Sequence, residues 1–247
     1  MSEVAEKPID WLWPSRIAIG RLTLLNGRPG LGKSYLTCEI AAIVSTGRDW
    51  PDGTPCDSGS VLMLTAEDDP ADTIKPRLRV QGANLSKCHI LGGMYDPDDE
   101  DDTADRFVSL SNVGVIEEAI QDIGDVKLLI IDPIGSYLGS GTDSHRDNEV
   151  RGKLAPIAAL ADQYGVAVLI VSHSRKAAAT TADDLVMGSR AFTGVCRSVW
   201  HLMVDPKNED RRLLLSGKSN LAKKSTGLAF RIEGDPVGAI AWEPDPV

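Results

Sequence analysis

The chain has 247 residues, 42% of them apolar, which is enough for one large domain with a hydrophobic core. Its formal net charge of −10 excludes a protein that coats duplex nucleic acid with a basic face, so any such contact has to be confined to a few Lys and Arg residues. No stretch approaches the roughly 20 apolar residues of a membrane span, and the polar opening Met1 to Asp10 does not read as a signal peptide, so a cytoplasmic protein without a membrane partner is expected.

Residues 1–10 read as an N-terminal arm and residues 11–247 as a single domain. Trp11, Trp13 and Pro14 stand at the junction, where they either dock on a neighbouring molecule or pack on the chain's own core. Arg21-Leu-Thr-Leu-Leu is a short apolar run that feeds a Gly-rich loop. Lys33 to Val44 follows, with Leu36, Ile40, Ile43 and Val44 on one helical face. Val61 to Thr65, Lys127 to Ile131 and Val166 to Val171 are further strands, apolar on consecutive rather than alternate positions. Such runs suit a parallel sheet covered by helices on both faces. Helical patterns lie between them at Ile74 to Val80, Val115 to Ile123 and Glu149 to Tyr164, the last expected to kink or restart at Pro156. The alternation gives an α/β fold. Ser198 to Val204, Leu213 to Ser216, Leu228 to Ile232 and Gly238 to Trp242 are expected as antiparallel strands on one edge of that sheet.

The loop Gly27-Arg-Pro-Gly-Leu-Gly-Lys-Ser34 fits G-x-x-x-x-G-K-[ST] at every fixed position, between a strand and a helix. Glycines let backbone N–H groups curl around a phosphate, and the following helix aims its N-terminal dipole at the anion. Gly27, Arg28, Pro29, Gly30, Leu31, Gly32, Lys33, Ser34 and Tyr35 are therefore the candidate ATP-binding residues. Lys33 is placed to reach the β- and γ-phosphates, and the Ser34 hydroxyl to ligate Mg²⁺. Asp132, directly after an apolar strand, is the second candidate for holding the metal. Glu67 also follows a strand, and it reads either as the base that activates water or as part of a helix-capping cluster with Asp68 and Asp69. Cys38, Cys56, Cys88 and Cys196 form no Cys-x-x-Cys pair and no histidine pair has ligand spacing, which argues for reduced thiols and against zinc. The run from Asp96 to Asp105 reads as a solvated acidic loop.

Taken in order, Gly20-Arg-Leu-Thr-Leu-Leu-Asn-Gly-Arg-Pro-Gly-Leu-Gly-Lys-Ser, Thr65-Ala-Glu-Asp-Asp, Ile131-Asp-Pro and Val171-Ser-His resemble the RecA-like P-loop ATPases. Within them the chain is most similar to the plasmid RepA-type hexameric helicases and their phage and mobile-element relatives. Pro76 to Asn84, Gly188 to Val199 and Gly217-Lys-Ser-Asn220 extend the likeness, which runs from Trp11 to Trp242. The resemblance implies a RecA-like fold, a homo-oligomeric ring (usually a hexamer) with ATP at the interfaces, and a loader or replication protein as a further partner. It implies a γ-phosphate sensor at His173 and a channel-lining loop after it, where Arg175 and Lys176 would track single-stranded DNA; a plain surface loop is the other reading. It also implies a cation supplied across subunits, for which Lys218 is first choice, with Arg211, Arg212, Lys223 and Lys224 as neighbours; Arg190 and Arg197 are family-like without a firm role. The expected activity is a single-strand-stimulated ATPase or helicase, the other reading being an ATP-switched assembly protein. The short segment before Trp11 makes a primase-binding or collar domain unexpected.

Overall fold

A computed structural model describes residues 5–92, 109–110, 112–139, 147–174 and 191–247. The parallel core is built from β3 (Leu22–Gly27), β4 (Ser60–Thr65), β5 (Cys88–Ile90), β6 (Val126–Asp132) and β7 (Ala167–His173). Helices α1 (Lys33–Thr46), α2 (Lys75–Val80), α3 (Val113–Ile123) and α4 (Asp147–Tyr164) connect them. After the short α5 (Ala191–Val195) come β8 (Ser198–Asp205), β9 (Asn208–Ser219), β10 (Leu228–Glu233) and β11 (Ala239–Trp242). Among the described residues these strands form one nine-stranded sheet in the order β11-β10-β9-β8-β3-β7-β6-β4-β5.

The unbroken apolar runs have a direct structural meaning. Leu24, Leu129, Ile131, Val168 and Ile170 belong to the core under α3, α4 and α5. Their chain neighbours Leu25, Leu128, Ile130, Leu169 and Val171 belong to the opposite core, under α1 and α2. Each strand thus buries both of its faces, which is why alternation is missing from the sequence. The α/β class with a mostly parallel, helix-flanked sheet and C-terminal antiparallel strands is the one found.

Several local expectations need correction. Ser198 to Val204 is not antiparallel to its inner neighbour: β8 runs parallel to β3, from Thr23↔Ser198 to Gly27↔Leu202, and only β9 to β11 are antiparallel. The crossover from β7 through α5 accounts for this, because it returns the chain to the start of the sheet before β8 begins. Polar Ser198 and His201 disguise β8 in the sequence, yet both are buried. The expected strand at Leu213 to Ser216 is the middle of the longer β9. Helix α4 continues through Pro156 as one helix, so the expected restart is absent. The expected helix at Ile74 to Val80 is preceded by a wide π-turn at Pro70–Ile74.

Ahead of the sheet, β1 (Trp11–Trp13) and β2 (Ile17–Ala18) form a small hairpin. Trp13 stacks on Trp50 with ring centroids 4.4 Å apart and meets the edge of Trp242, so it packs on its own chain's core. The four cysteines are free, and burial pushes the Cys38 and Cys196 thiols up to about 12, as inert core residues require. No helix among the described residues is long and apolar enough to cross a membrane. The acidic run Asp96 to Asp105 lies outside the described residues, as do Arg175, Lys176 and Arg190.

Candidate nucleotide site

The loop after β3 crosses to α1 at the carboxyl ends of the parallel strands, the side of an open α/β sheet where ligands bind. Two glycines show why the motif tolerates no side chain there. A Cβ on Gly27 would stand 2.9 Å from the Leu202 carbonyl oxygen of β8. Gly32 adopts φ +89°, and a Cβ on it would meet Ile232 Cδ1 at 2.5 Å. Helix α1 starts from Gly32 with no side-chain cap and no acidic residue in its first turn. Its first N–H groups are left for an anion to satisfy.

Lys33 is only 6% exposed. Its ammonium donates to the carbonyls of Gly27 and Arg28, each at 3.0 Å, and to His173 Nδ1 at 3.2 Å. Burial lowers its pKa, and the carboxylates of Asp132 and Glu67 partly restore it. For Nδ1 to accept from Lys33, the His173 ring carries its proton on Nε2. That edge lies 3.5 Å from Glu67 Oε1. The ends of β3, β7 and β4 are thereby linked in one polar chain, Lys33 to His173 to Glu67.

Asp132 closes β6 and is buried. Burial raises its pKa, against the opposing pull of a Ser34 hydrogen bond and the Lys33 charge; the negative charges of Glu67 and Asp68 raise it further. The Thr37 hydroxyl donates to Asp132 Oδ2 at 3.4 Å, a contact not foreseen in the sequence, one turn beyond Ser34. A hydroxyl and a carboxylate side by side are hard oxygen donors of the kind magnesium takes. Among the described residues no group of three His, Cys, Asp or Glu side chains could hold a metal. Magnesium would therefore need phosphate oxygens and water to complete its shell, which is how it usually binds beside nucleotides.

The acidic trio after β4 divides its work. Asp69 caps the turn at Pro70–Ile74 by accepting from the N–H groups of Ala71 and Asp72. Asp68 pairs with Arg77 at 2.5 Å. Glu67 is exposed and faces His173, on a cleft also lined by Ile134, Ser136 and Phe192. Tyr35, next after the P-loop, carries the Arg77 guanidinium 4.5 Å above its ring.

The candidate cations near Lys218 fall apart spatially. Lys218 precedes Ser219, which pairs with Ser198, itself level with Thr23 at the start of β3; it lies at the end of the sheet away from the P-loop. Its ammonium donates to the carbonyls of Thr193, Gly194 and Cys196 at the end of α5. Arg197 sits at that same end, its N–H on the Leu22 carbonyl. Lys223 and Lys224 lie between β9 and β10. Arg211 is held by Asp205 at 2.6 Å and Glu243 at 2.7 Å. Arg212 instead reaches the P-loop of its own chain, donating from Nε to the Leu31 carbonyl at 3.3 Å.

The fold and this site define a P-loop nucleoside triphosphatase: a glycine cradle with a buried lysine, a helix N-terminus open to an anion, and a hydroxyl–carboxylate pair for a divalent ion. The chain belongs to the AAA domain family of P-loop ATPases, whose model matches residues 2–179. That match ends before α5, so the strands β8 to β11 lie beyond it.

Proposed function

We propose that this ATPase is a motor that hydrolyses Mg-ATP under the control of single-stranded DNA, acting as a homo-oligomeric ring, with a hexamer as the expected size. The observation that carries the reading is the chain from Lys33 through His173 to Glu67. It joins the phosphate cradle, the candidate base and the strand end from which residues 174–189 depart, and that segment holds Arg175 and Lys176.

With nucleotide in the cradle, Lys33 leaves the Gly27 and Arg28 carbonyls for the β- and γ-phosphates. Ser34 and Asp132 would hold the magnesium ion, which when bound would neutralise charge on the phosphates. Glu67 orients a water molecule and takes its proton as the water oxygen bonds to the γ-phosphorus and the bond to the β–γ bridging oxygen breaks, releasing ADP and phosphate. His173 loses its Lys33 contact in this exchange, which gives the next segment a signal that depends on phosphate. A role for Lys218 across subunits requires it to exchange the α5 carbonyls for a neighbour's phosphate; Lys218→Ala mixed with Lys33→Ala protein should then recover some activity in mixed sites.

The deciding measurement is steady-state ATP turnover with and without single-stranded DNA, at low and moderate salt. Stimulation that fades with salt is the expected result, since contacts to a phosphate backbone release counterions. Turnover indifferent to DNA would retire the motor and leave an ATP-switched assembly protein. In Arg175→Ala combined with Lys176→Ala, basal turnover should survive and the DNA response should vanish.

A further inference from the structure

We infer that the C-terminal strands beyond the family match are part of the nucleotide site, and that Arg212 is a positioning residue which fixes the Leu31–Gly32 peptide of the P-loop. The inference rests on the reading of the P-loop as an ATP site.

Three observations converge on one peptide group. Arg212 of β9 donates from Nε to the Leu31 carbonyl. A second guanidinium N–H of Arg212 donates to the Glu209 carbonyl within the same strand, which fixes the direction of the fork. Ile232 of β10 packs over Gly32, its Cδ1 2.5 Å from where a Cβ on that glycine would stand. The two strands hold each other: Phe230 is paired with Arg212, and Ile232 lies two residues further along β10. A hydrogen bond and an apolar packing contact therefore act from outside the loop on adjacent residues.

The geometry of a trans peptide gives this grip its consequence. The carbonyl of Leu31 and the N–H of Gly32 belong to the same planar unit and point in opposite directions. Holding the carbonyl outward against Arg212 turns the Gly32 N–H inward, toward the cradle that receives phosphate. A glycine at φ +89° has no side-chain sterics of its own to keep that orientation, so the restraint has to come from elsewhere. Arg212 is 181 positions away from Leu31 in the chain, and it supplies the restraint in cis. It also brings a positive charge to the outer side of a loop that must hold a polyanion.

The effect expected is on binding rather than on the chemical step. Arg212→Ala should raise the KM for ATP and the dissociation constant for ADP on the order of 3- to 10-fold, the usual worth of one net hydrogen bond, with kcat within about 2-fold. Arg212→Lys, which keeps a donor and the charge, should recover part of the loss. Ile232→Ala should act in the same direction, and the double variant should fall short of the product of the single effects, because both groups restrain one peptide. The measurements are steady-state kinetics and ADP titration on the full chain, with thermal midpoints of the nucleotide-free proteins alongside. Unchanged KM and ADP affinity in Arg212→Ala would overturn the inference, as would a loss confined to kcat. If Arg212→Ala does not fold, Arg212→Met, which keeps the apolar stem and removes every donor, decides instead: wild-type ADP affinity together with wild-type KM is then the overturning result. An absence of turnover and ADP binding in the unaltered chain would overturn the P-loop reading itself, a different outcome from normal turnover with an insensitive Arg212.

Discussion

The molecule buries a cation at each end of its sheet, and the two are treated differently. Near the start of the strands, Arg16 is sandwiched between Trp13 and Trp200, its guanidinium carbon 5.0 and 5.4 Å from their ring centres. It pairs with Asp52 at 2.7 Å and donates to the Thr226 carbonyl, and only its Nε lacks a partner. Asp52 is in turn held below the usual carboxylate range: hydrogen bonds from Thr54 and Trp13 and the Arg16 charge outweigh its burial. At the far end Lys33 touches two carbonyls and an imidazole, with no carboxylate in contact among the described residues, and Asp132 is raised because burial outweighs its partners. One end is finished as it stands. The other holds charges that a bound phosphate and its cation would complete, and this contrast separates a structural ion pair from a site built for a ligand.

The sharpest way to break the comparison is to remove function at one end and stability at the other. Glu67→Gln keeps the side chain's shape but cannot take a proton, so turnover should fall about 10²- to 10⁴-fold while ATP still binds. Single-turnover hydrolysis paired with nucleotide binding checks this, and a near-normal rate would show that Glu67 is not the base. Glu67 is exposed, so little loss of thermal stability should accompany the change. Arg16→Ala should do the reverse. It leaves Asp52 and the Trp13–Trp200 sandwich without their cation and should cost roughly 3 kcal/mol in denaturant unfolding. Turnover per folded molecule should stay within about 2-fold.

Asp132→Asn sharpens the contrast because it should move stability and function in opposite directions. The folded state raises the Asp132 pKa, so it binds the proton more tightly than the unfolded chain does. The stability that this supplies is complete below the unfolded carboxylate value and is lost as pH rises through the folded value. Near neutral pH the ionised carboxylate is therefore a liability in the nucleotide-free protein. The asparagine variant should be more stable there, by an amount on the order of 1 kcal/mol, and the advantage should shrink toward pH 4. Hydrolysis should be lost if Asp132 holds the metal as proposed, because the ion would lose its carboxylate. A lower midpoint for the variant at neutral pH would mean that Asp132 is compensated like Asp52 and that the two ends are alike.

How much of this was legible in the sequence follows from how local each feature is. The cradle is eight consecutive residues with fixed glycines, and its lysine and serine are part of the same motif, so it can be read without the fold. The positions of Asp132 and Glu67 were legible one level up, since each ends or follows a strand whose apolar run is visible, and parallel strands gather their ends on one side. Contacts between distant segments left no such trace. Arg212 looked like one basic residue among several on a hairpin, and nothing near it in the chain marks it as the one that meets Leu31. Lys218 carried a family-like motif, but strand register places it at the end opposite the P-loop of its own chain. The direction of β8 was misread for a related reason: a buried strand with Ser198 and His201 in it has the composition of an edge.

Glu39 supplies the smallest and most exacting test, because it is a buried charge on the P-loop helix itself. It lies on α1, 4% exposed, and burial raises its pKa. Its own chain offsets part of that cost with a cation in direct contact: Arg48 donates to Oε2 at 2.5 Å, and the Trp242 indole of β11 donates to Oε1 at 3.1 Å. If β11 serves to finish this charge, Glu39 belongs with the structural end of the molecule although it stands on the functional helix. Trp242→Phe keeps most of the ring contact with Trp13 and Phe230 but removes the N–H, and should cost about 1 kcal/mol at neutral pH. The sign of the pH dependence follows from the same linkage. Losing the indole donor raises the folded pKa of Glu39 further, so the variant should lose more stability than the parent as pH rises from about 4 toward neutrality. Below the carboxylate range, where Glu39 is protonated in both proteins, the two unfolding midpoints should draw together. A difference that stays constant from pH 4 to 8 would assign the whole effect to packing of the ring, and would leave the Trp242 contact with no electrostatic part in holding the P-loop helix.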